Sequence, residues 1–384
     1  MKTLFVHDHI FPKKEGNYYE SYGFDEEFID RYTSFTDTLE IIGRERELYG
    51  EVNELKRIDQ HATFYTIPNF KVLNNTKIKN TVNNKIKECD NLIIRLPSII
   101  GLYALSKAKK YKKPFFIEVV GNAWDSLWNQ SLSKKFMAPL VDVMCKRAIL
   151  DATHVVYVTK EYLQQKYPTN GKSIACSNVT INSIDKNLLK QRTEKIKKLS
   201  SHNFVLGTCA TLNVYKGQQD VIKVVSKLKS LGYEIRYELV GGGDPNYLKK
   251  LAKEYGVEEN IIFIGRLNHK EVFKWLDQID LYLQPSLTEG LPRALIEAMS
   301  RGCPAIGSNA GGIPELIDKD YIYPKGKSEL AFNIFRKMHI EDLKQQSIIN
   351  QATSQQYIKS ILTEKREKFF HEFIKDIKER GDKN

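Results

Sequence analysis

The chain of 384 residues is expected to be an α/β protein made of two successive doubly wound domains. Three observations predict this. Its length suits two domains of ordinary size. Short apolar runs alternate with helical stretches, the pattern of βαβ units and a mostly parallel sheet. That alternation stops at a polar, basic stretch, KNLLKQRTEKIKKLS (186–200), and then starts afresh.

In the first series, strands are expected over 2–6, 40–43, 63–67, 91–96, 115–120, 154–159 and 173–176. Helices are expected over 76–88, 101–112, 131–149 and 160–166. FPKKEGNYYESY (11–22) reads as a loop centred on Gly16. The second series has strands at 204–209, 235–240, 261–264, 281–284 and 305–307, and helices at 217–230, 245–255, 270–277, 291–301 and 328–338. From Ser354 to Arg380 one long helical pattern carries an apolar stripe that includes Ile358, Leu362, Phe369 and Phe373. The expected organisation is therefore a domain over 1–185, a linker over 186–200, a domain over 201–353, and a tail over 354–384 that packs back on the first domain.

Composition is that of a globular chain: 41% hydrophobic and 28% charged residues, with no apolar run near the length a membrane span needs. The opening apolar stretch is interrupted by Asp8 and has no small-residue cleavage site, so a cytoplasmic location is expected. Five scattered cysteines, an odd number without a CxxC pair, read as reduced thiols. Net charge is +12 and uneven. Residues 1–50 carry 6 basic and 11 acidic side chains, residues 51–200 carry 26 and 12, and the rest 27 and 24. The middle block suits an anionic partner, whether membrane surface, nucleic acid or phosphorylated substrate. No nucleic-acid motif accompanies it.

The densest stretch for chemistry is TEGLPRALIEAMSRGCPAIGSNAGGIPELI, from Thr288 to Ile317. Leu291, Leu295, Ala298 and Met299 recur at helical spacing, Pro292 suits a first turn, and Gly302 with Pro304 ends the helix. Glu289 then lies in the loop at a strand's carboxyl end, where open α/β sheets bind ligands. Glu297 lies two turns into the helix, about 12 Å away at the helical rise. A glycosidase pair needs about 5 to 9.5 Å, so one extended ligand touched at two points fits better. The bland alternative for Glu297 is an i, i+4 pair with Arg293.

EGLPRALIEAM followed by GCPAIGSNAGGIPELI closely resembles the signature of the group 1 retaining, metal-independent glycosyltransferases. These have the GT-B fold, two Rossmann-like domains facing a central cleft. Glu289 and Glu297 match that family's E-x7-E element. ATLNVYKG (210–217) looks like its phosphate-binding strand and turn, LVGGGDPNYLKKLAKEYGVEENIIFIGRL (239–267) like its Gly-rich turn, helix and next strand, and LQPSLTEG (283–290) completes the run. The similarity is strong over 204–317 and weak over the first 185 residues.

The resemblance implies a nucleotide-sugar donor, UDP-linked above all, and a saccharide acceptor, with the donor as co-substrate and no cofactor. Glu297 would accept from ribose hydroxyls and Glu289 from donor-sugar hydroxyls, since a carboxylate takes two donors at once. Backbone N–H groups around Gly290 and Leu291, with Pro292 next to them, would reach the sugar, aided by the positive end of the helix. Lys216 would meet the diphosphate and stabilise the leaving phosphate. The implied mechanism is front-face attack, the leaving phosphate helping to take the acceptor proton.

The sequence departs from the family at two places. The usual arginine five residues before the lysine is Thr211; either Arg266 supplies that charge, or the Arg266–Leu267–Asn268 loop faces the base. The usual histidine after strand 115–120 is replaced by GNAWDSLW, in which Asn122 or Asp125 would touch the donor sugar or the acceptor. Trp124 and Trp128 either pack the wall or stack on a sugar. Gly16 would let its loop approach the diphosphate. His7 and His9 flank Asp8 without a third metal ligand, Asp318-Lys319-Asp320 reads as a solvated loop rather than a D-x-D metal motif, and Gly241–Gly243 completes no dinucleotide fingerprint.

Lysines 107, 109, 110, 112 and 113, then Lys134, Lys135, Lys146 and Arg147 beside Phe136, Met137, Leu140 and Met144, suggest a face for an anionic membrane and a lipid-linked acceptor. An ordinary soluble face is the alternative. Two rival functions share this sequence: an epimerase or phosphorylase of the same fold, and a non-catalytic nucleotide-sugar or glycan-binding protein.

Overall fold

The computed structural model describes residues 1–21, 23–49, 55–69, 75–128, 132–185, 187–200 and 202–381, without the side chains of 126–128, 132–134, 380 and 381. Trp128 and Lys134 thus have side chains outside the described set. Two compact units form. The first comprises Met1–Val158, Leu163–Cys176 and the stretch from Thr363; the second comprises Thr159–Tyr162 and Ser177–Leu362.

In chain order, the first unit has β1 (Lys2–Lys14), β2 (Asn17–Tyr18), α1 (Glu26–Thr33), β3 (Thr38–Glu47), β4 (Thr63–Ile67), α2 (Thr76–Glu88), β5 (Asn91–Leu96) and α3 (Ile99–Lys110). It continues with β6 (Phe115–Val119), α4 (Ala123–Trp128), α5 (Leu132–Leu150), β7 (His154–Tyr157), α6 (Tyr162–Lys166) and β8 (Lys172–Ala175). The strand order is β4-β3-β1-β5-β6-β7-β8, all parallel, with β2 antiparallel on the end of β1.

The loop expected over 11–22 is instead the end of β1, a tight turn and β2. Lys13 pairs with Tyr18 and Lys14 with Asn17, joined by Glu15 and Gly16 at φ +50° and +83°. Positive φ at both central residues is the two-residue hairpin geometry that follows strand twist. Beyond Val6 the strand has left β5, so Pro12 deprives no ladder of a donor on that side.

The second unit contains α7 (Asn187–Lys197), β9 (Asn203–Cys209), α8 (Gln218–Ser230), β10 (Glu234–Val240), α9 (Asn246–Glu254), β11 (Ile261–Gly265), α10 (His269–Gln278) and β12 (Leu281–Gln284). Then come α11 (Arg293–Ser300), β13 (Ala305–Ser308), β14 (Ile322–Tyr323), α12 (Ser328–Lys337) and α13 (Ile340–Ser354), followed by α14 (Lys359–Gly381), which from Thr363 belongs to the first unit. The parallel sheet of the second unit runs β11-β10-β9-β12-β13-β14. Counted within the unit this is 3-2-1-4-5-6, the dinucleotide-fold order, whose switch point lies between the first and fourth strands, here β9 and β12.

Two expectations change. The stretch read as a linker forms α7, which is packed into the second unit. Ile196 joins the core, and Arg192 is buried with its guanidinium donating to the carbonyls of Ile279 (2.6 Å) and Leu276 (2.5 Å). The helical pattern expected from Ser354 to Arg380 begins instead at Lys359: α13 ends at Ser354, and the chain passes through extended Ile358 (ψ 132°) into α14. The second of these, α14, stays with the first unit from Thr363: Phe370 stacks near Phe116 and Phe35 (centroids 5.0 and 4.2 Å), and Phe373 lies edge-on to Phe116. Among the described residues no helix is long and apolar enough to cross a membrane.

Candidate active site

The switch point of the second unit sets two loops against each other, one after β9 and one after β12. Gly217, at φ +76°, begins α8, and a side chain there would overlap the carbonyl oxygen of Pro285. Only glycine permits this approach. The contact carries Lys216, in the single 3₁₀ turn Val214–Lys216, to Glu289: Nζ lies 2.5 Å from Oε1. Both side chains are largely buried, at 19% and 11% exposure.

Glu289 is held further from below. Its Oε1 also accepts from Ser286 Oγ (2.8 Å) and Gln284 Nε2 (3.3 Å). Gln284 Oε1 in turn accepts from the buried Tyr282 hydroxyl at 3.2 Å. Burial, followed by the charges of Cys209, Glu297 and Glu289, raises that phenol well above its ordinary pKa, so it stays a donor. From above, Gly311 (φ +55°) and Gly312 pack on the same loop. A side chain on Gly311 would overlap the Glu289 carbonyl, and Gly312 N–H donates to Gly290 O at 2.8 Å. These three bonds to the Glu289 carboxylate all fall on Oε1, which among the described residues leaves Oε2 with its acceptor capacity.

Glu297 lies on the inner face of α11, 4% exposed. Pro292 is the N-cap of that helix rather than a first-turn residue, and Arg293 is its first residue. Among the described residues Glu297 pairs not with Arg293 but with His269, whose Nε2 is 3.2 Å from Oε1. His269 opens α10 behind a capping box of Asn268 and Glu271. Burial, then the Glu297 charge, pushes the neighbouring Cys209 thiol up to about 12.

The Gly-rich turn closes the floor. Gly241 (φ +138°) has no room for a side chain beside the Ala210 carbonyl, and Leu212 N–H donates to Gly242 O at 2.8 Å. Arg266, exposed after β11, lays its guanidinium against Gly242, so closely that a Cβ there would overlap Nε. Arg266 and the exposed Thr211 therefore meet the same knot of backbone, and Thr211 O accepts from the buried Gln218 amide at 3.0 Å. Leu267 follows, half-buried.

The residues expected in the first unit make the following local contacts. Asn122 Oδ1 accepts from Trp124 N (3.0 Å) and Asp125 N (3.4 Å), starting α4, which replaces the loop expected there. Asn122 Nδ2 donates to Asp125 Oδ2 at 3.1 Å. Gly16 sits at the hairpin tip with open space around it. His9 is 2.5 Å from Ser21 Oγ and stacks on Phe24; burial, then Arg95 and Arg44, lowers its pKa to about 3. Asp8 caps α3, accepting from Ile99 and Ile100 N–H and Ser98 Oγ. Asp318 accepts from Asp320 N in a turn.

Sequence reasoning did not find His269, Gln284 or Ser286. The last two lie five and three residues before Glu289, and their spacing is a usable signal. His269 carries none beyond its place in a capped first turn.

A Rossmann-type sheet whose switch point joins an E-x7-E pair, a lysine at a helix start and a Gly-rich turn defines a GT-B glycosyltransferase. The comparisons agree. The family model described as glycosyl transferases group 1 matches residues 190–355. Protein CapJ of Staphylococcus aureus is 35% identical over 360 residues, 91% of this chain and 89% of CapJ. The amylovoran biosynthesis glycosyltransferase AmsK of Erwinia amylovora is 34% identical over 139 residues, 34% of each chain. The crystal structure of Anabaena HepE in complex with UDP shares the fold, with a TM-score of 0.68 at 17% identity over 97% of this chain and 100% of that one. The chain belongs to the group 1 glycosyltransferases.

Proposed function

We propose that the protein transfers a hexose or N-acetylhexosamine from a UDP-linked donor to a saccharide acceptor on a lipid carrier, with retention of configuration and without a metal, in building a surface polysaccharide. The observation that carries this reading is the arrangement of Lys216, Glu289 and Glu297 around one switch point. Glu297 takes the ribose hydroxyls and Glu289 Oε2 the donor-sugar hydroxyls. N–H groups at Gly290 and Leu291, ahead of the Pro292 cap, face the sugar. Lys216 and the start of α8 meet the diphosphate, which gives this chain's own cation the charge-stabilising task.

Arg266, beside Thr211, stands in for the arginine absent at that position, and Leu267 lines the base. In the first unit Asn122 and Asp125 serve the donor sugar or the acceptor, and the Gly16 hairpin approaches the diphosphate. AmsK's name supports the polysaccharide product, the UDP held by HepE supports the nucleotide, and the basic block over 51–200 supports work at the inner face of a membrane.

The test is UDP release by the purified protein over a panel of UDP-sugars, with and without lipid-linked saccharide, and with EDTA present. Release that depends on acceptor and survives EDTA is expected. Glu297→Gln exchanges a charged acceptor for a neutral one; losing about 1.5–3 kcal/mol should raise the donor KM about 10- to 150-fold. An unchanged KM sinks the ribose assignment. Product formed from donor alone would return the epimerase reading.

A further inference from the structure

Helix α5 is apolar on two opposite sides. Its inner side buries Ala138, Val141, Cys145, Ala148 and Ile149. At about 100° per residue, its outer side gathers Phe136, Met137, Leu140, Val143 and Met144 within an arc of about 120°. These five are 86%, 45%, 63%, 44% and 43% exposed. Folded chains expose large apolar side chains singly; a contiguous set on one helix marks a contact surface.

Charge identifies what the surface contacts. Lys146 and Arg147 are exposed beside the apolar arc, and Lys135 is half-exposed. Asp142 is the one acid in the helix, and it is buried on the inner side. Lys109 of α3, paired with Asp151 at 3.1 Å, adds a cation beside the helix end. Apolar side chains flanked by the exposed Lys146 and Arg147, with the only acid of the helix buried, fit a bilayer with anionic headgroups, into which the aliphatic and aromatic groups sink while the cations stay at headgroup level.

We propose that the outer face of α5 is the element by which this protein docks on an anionic lipid surface. This deepens the lipid-linked acceptor reading above and rests on it for its purpose, though not for its test. The docked helix also touches the acceptor side. The Tyr167 hydroxyl accepts from Ala123 N–H (2.8 Å) and lies 2.5 Å from Asp142 Oδ1 and 3.2 Å from Asn122 Oδ1, donating to the nearer. Asp142 thus ties the buried side of α5, away from the docking face, through Tyr167 to the loop that starts α4.

The experiment is co-sedimentation of the whole protein with vesicles of phosphatidylcholine alone or with 30 mol% phosphatidylglycerol, about a third anionic lipid. Binding is expected to the mixed vesicles, to weaken as NaCl rises from about 0.1 to 0.5 M, and to fall about tenfold or more in Phe136→Ser/Leu140→Ser. Both substituted positions are exposed, so the melting temperature and UDP affinity should stay at wild-type values. Leu330→Ser, an exposed apolar change in the second unit, should leave binding intact. No binding to mixed vesicles, or equal binding by the double variant, overturns the proposal. So does a wild-type dimer that the double variant turns into a monomer, since the face would then belong to a second copy. Turnover plays no part in the readout; loss of the transferase reading would show separately, as absent UDP release with vesicle binding preserved.

Discussion

Lys216→Ala tests the donor site most sharply. In the free protein the Lys216 ammonium lies 2.5 Å from Glu289 Oε1, with both side chains largely out of solvent. A charge-assisted hydrogen bond of this kind is worth about 1.5–3 kcal/mol. Its loss leaves Glu289 with the neutral donors Ser286 and Gln284, so the second unit should be destabilised by that amount. When a diphosphate binds, the same ammonium faces a second anion, and a comparable energy is lost from binding. Calorimetric titration should therefore show UDP affinity falling about 10- to 150-fold, while uridine, which has no phosphate, changes less than about twofold. With donor saturating, turnover should fall about 100- to 1,000-fold, since charge on the leaving phosphate grows toward the transition state. Equal losses for UDP and uridine would mean that Lys216 only props up the loop. An unchanged UDP affinity would remove it from the site.

Three further outcomes follow from the same geometry. Gly311→Ala puts a side chain at φ +55° into the Glu289 carbonyl, and should cost more than about 1 kcal/mol of stability and raise the donor KM, whereas wild-type values would show that the loop yields freely. His9 is held neutral down to about pH 3, from an ordinary 6.5, by burial and then by Arg95 and Arg44. The unfolded chain binds that proton first, so His9 makes stability fall as pH drops from about 6.5 toward 3, by at most about 5 kcal/mol. His9→Gln should flatten the acid limb of the melting-temperature profile relative to wild type, and parallel profiles would contradict the assignment. The thiols of Cys89, Cys145 and Cys209 are pushed by burial to about 11, 12 and 12, and burial also raises Cys176 and Cys303. At pH 8 an aromatic disulfide reagent should label none in the native protein and five after denaturation; fast labelling of any one would expose a reactive thiolate.

How much of this was legible depended on the range of the interactions. Helix α11 and its preceding loop could be read because apolar spacing, Pro292 and Gly302 act within one short segment. Helix α7 could not. Its sequence is polar and basic, and it became part of a core through long-range contacts, Ile196 in the apolar cluster and Arg192 buried against carbonyls more than 80 residues away. Helix α1 was missed for a related reason: it is eight residues long, and its inward face of Phe28, Ile29 and Tyr32 is too brief to establish a period. The continuation of β1 was hidden by FPKK, whose proline and lysines read as punctuation. Pairing with β3, including Lys13 with Glu45 at 2.9 Å, outweighs those local preferences.

The same contrast explains why the two glutamates were visible while their supports were not. A carboxylate that recognises a sugar must present an oxygen in one place before the ligand arrives, otherwise binding pays to order it. Three donors on Glu289 Oε1 and one on Glu297 Oε1 supply that fixation, and each leaves the second oxygen to accept. The motif names the oxygens that are offered. The fixation comes from Lys216 across the switch point, from His269 on another helix, and from Gln284 and Ser286 beneath. Only two of those four share the motif's own segment. Substituting the supports should therefore degrade donor binding even though none of the E-x7-E residues is altered, and Ser286→Ala, which removes one 2.8 Å donor from Glu289 and nothing from Glu297, is the mildest place to see it. A neutral hydrogen bond to a charged acceptor predicts a loss of about 1.5 kcal/mol, or roughly a tenfold rise in donor KM with the uridine affinity unmoved. A uridine loss of the same size would place Ser286 in the scaffold shared by both glutamates instead.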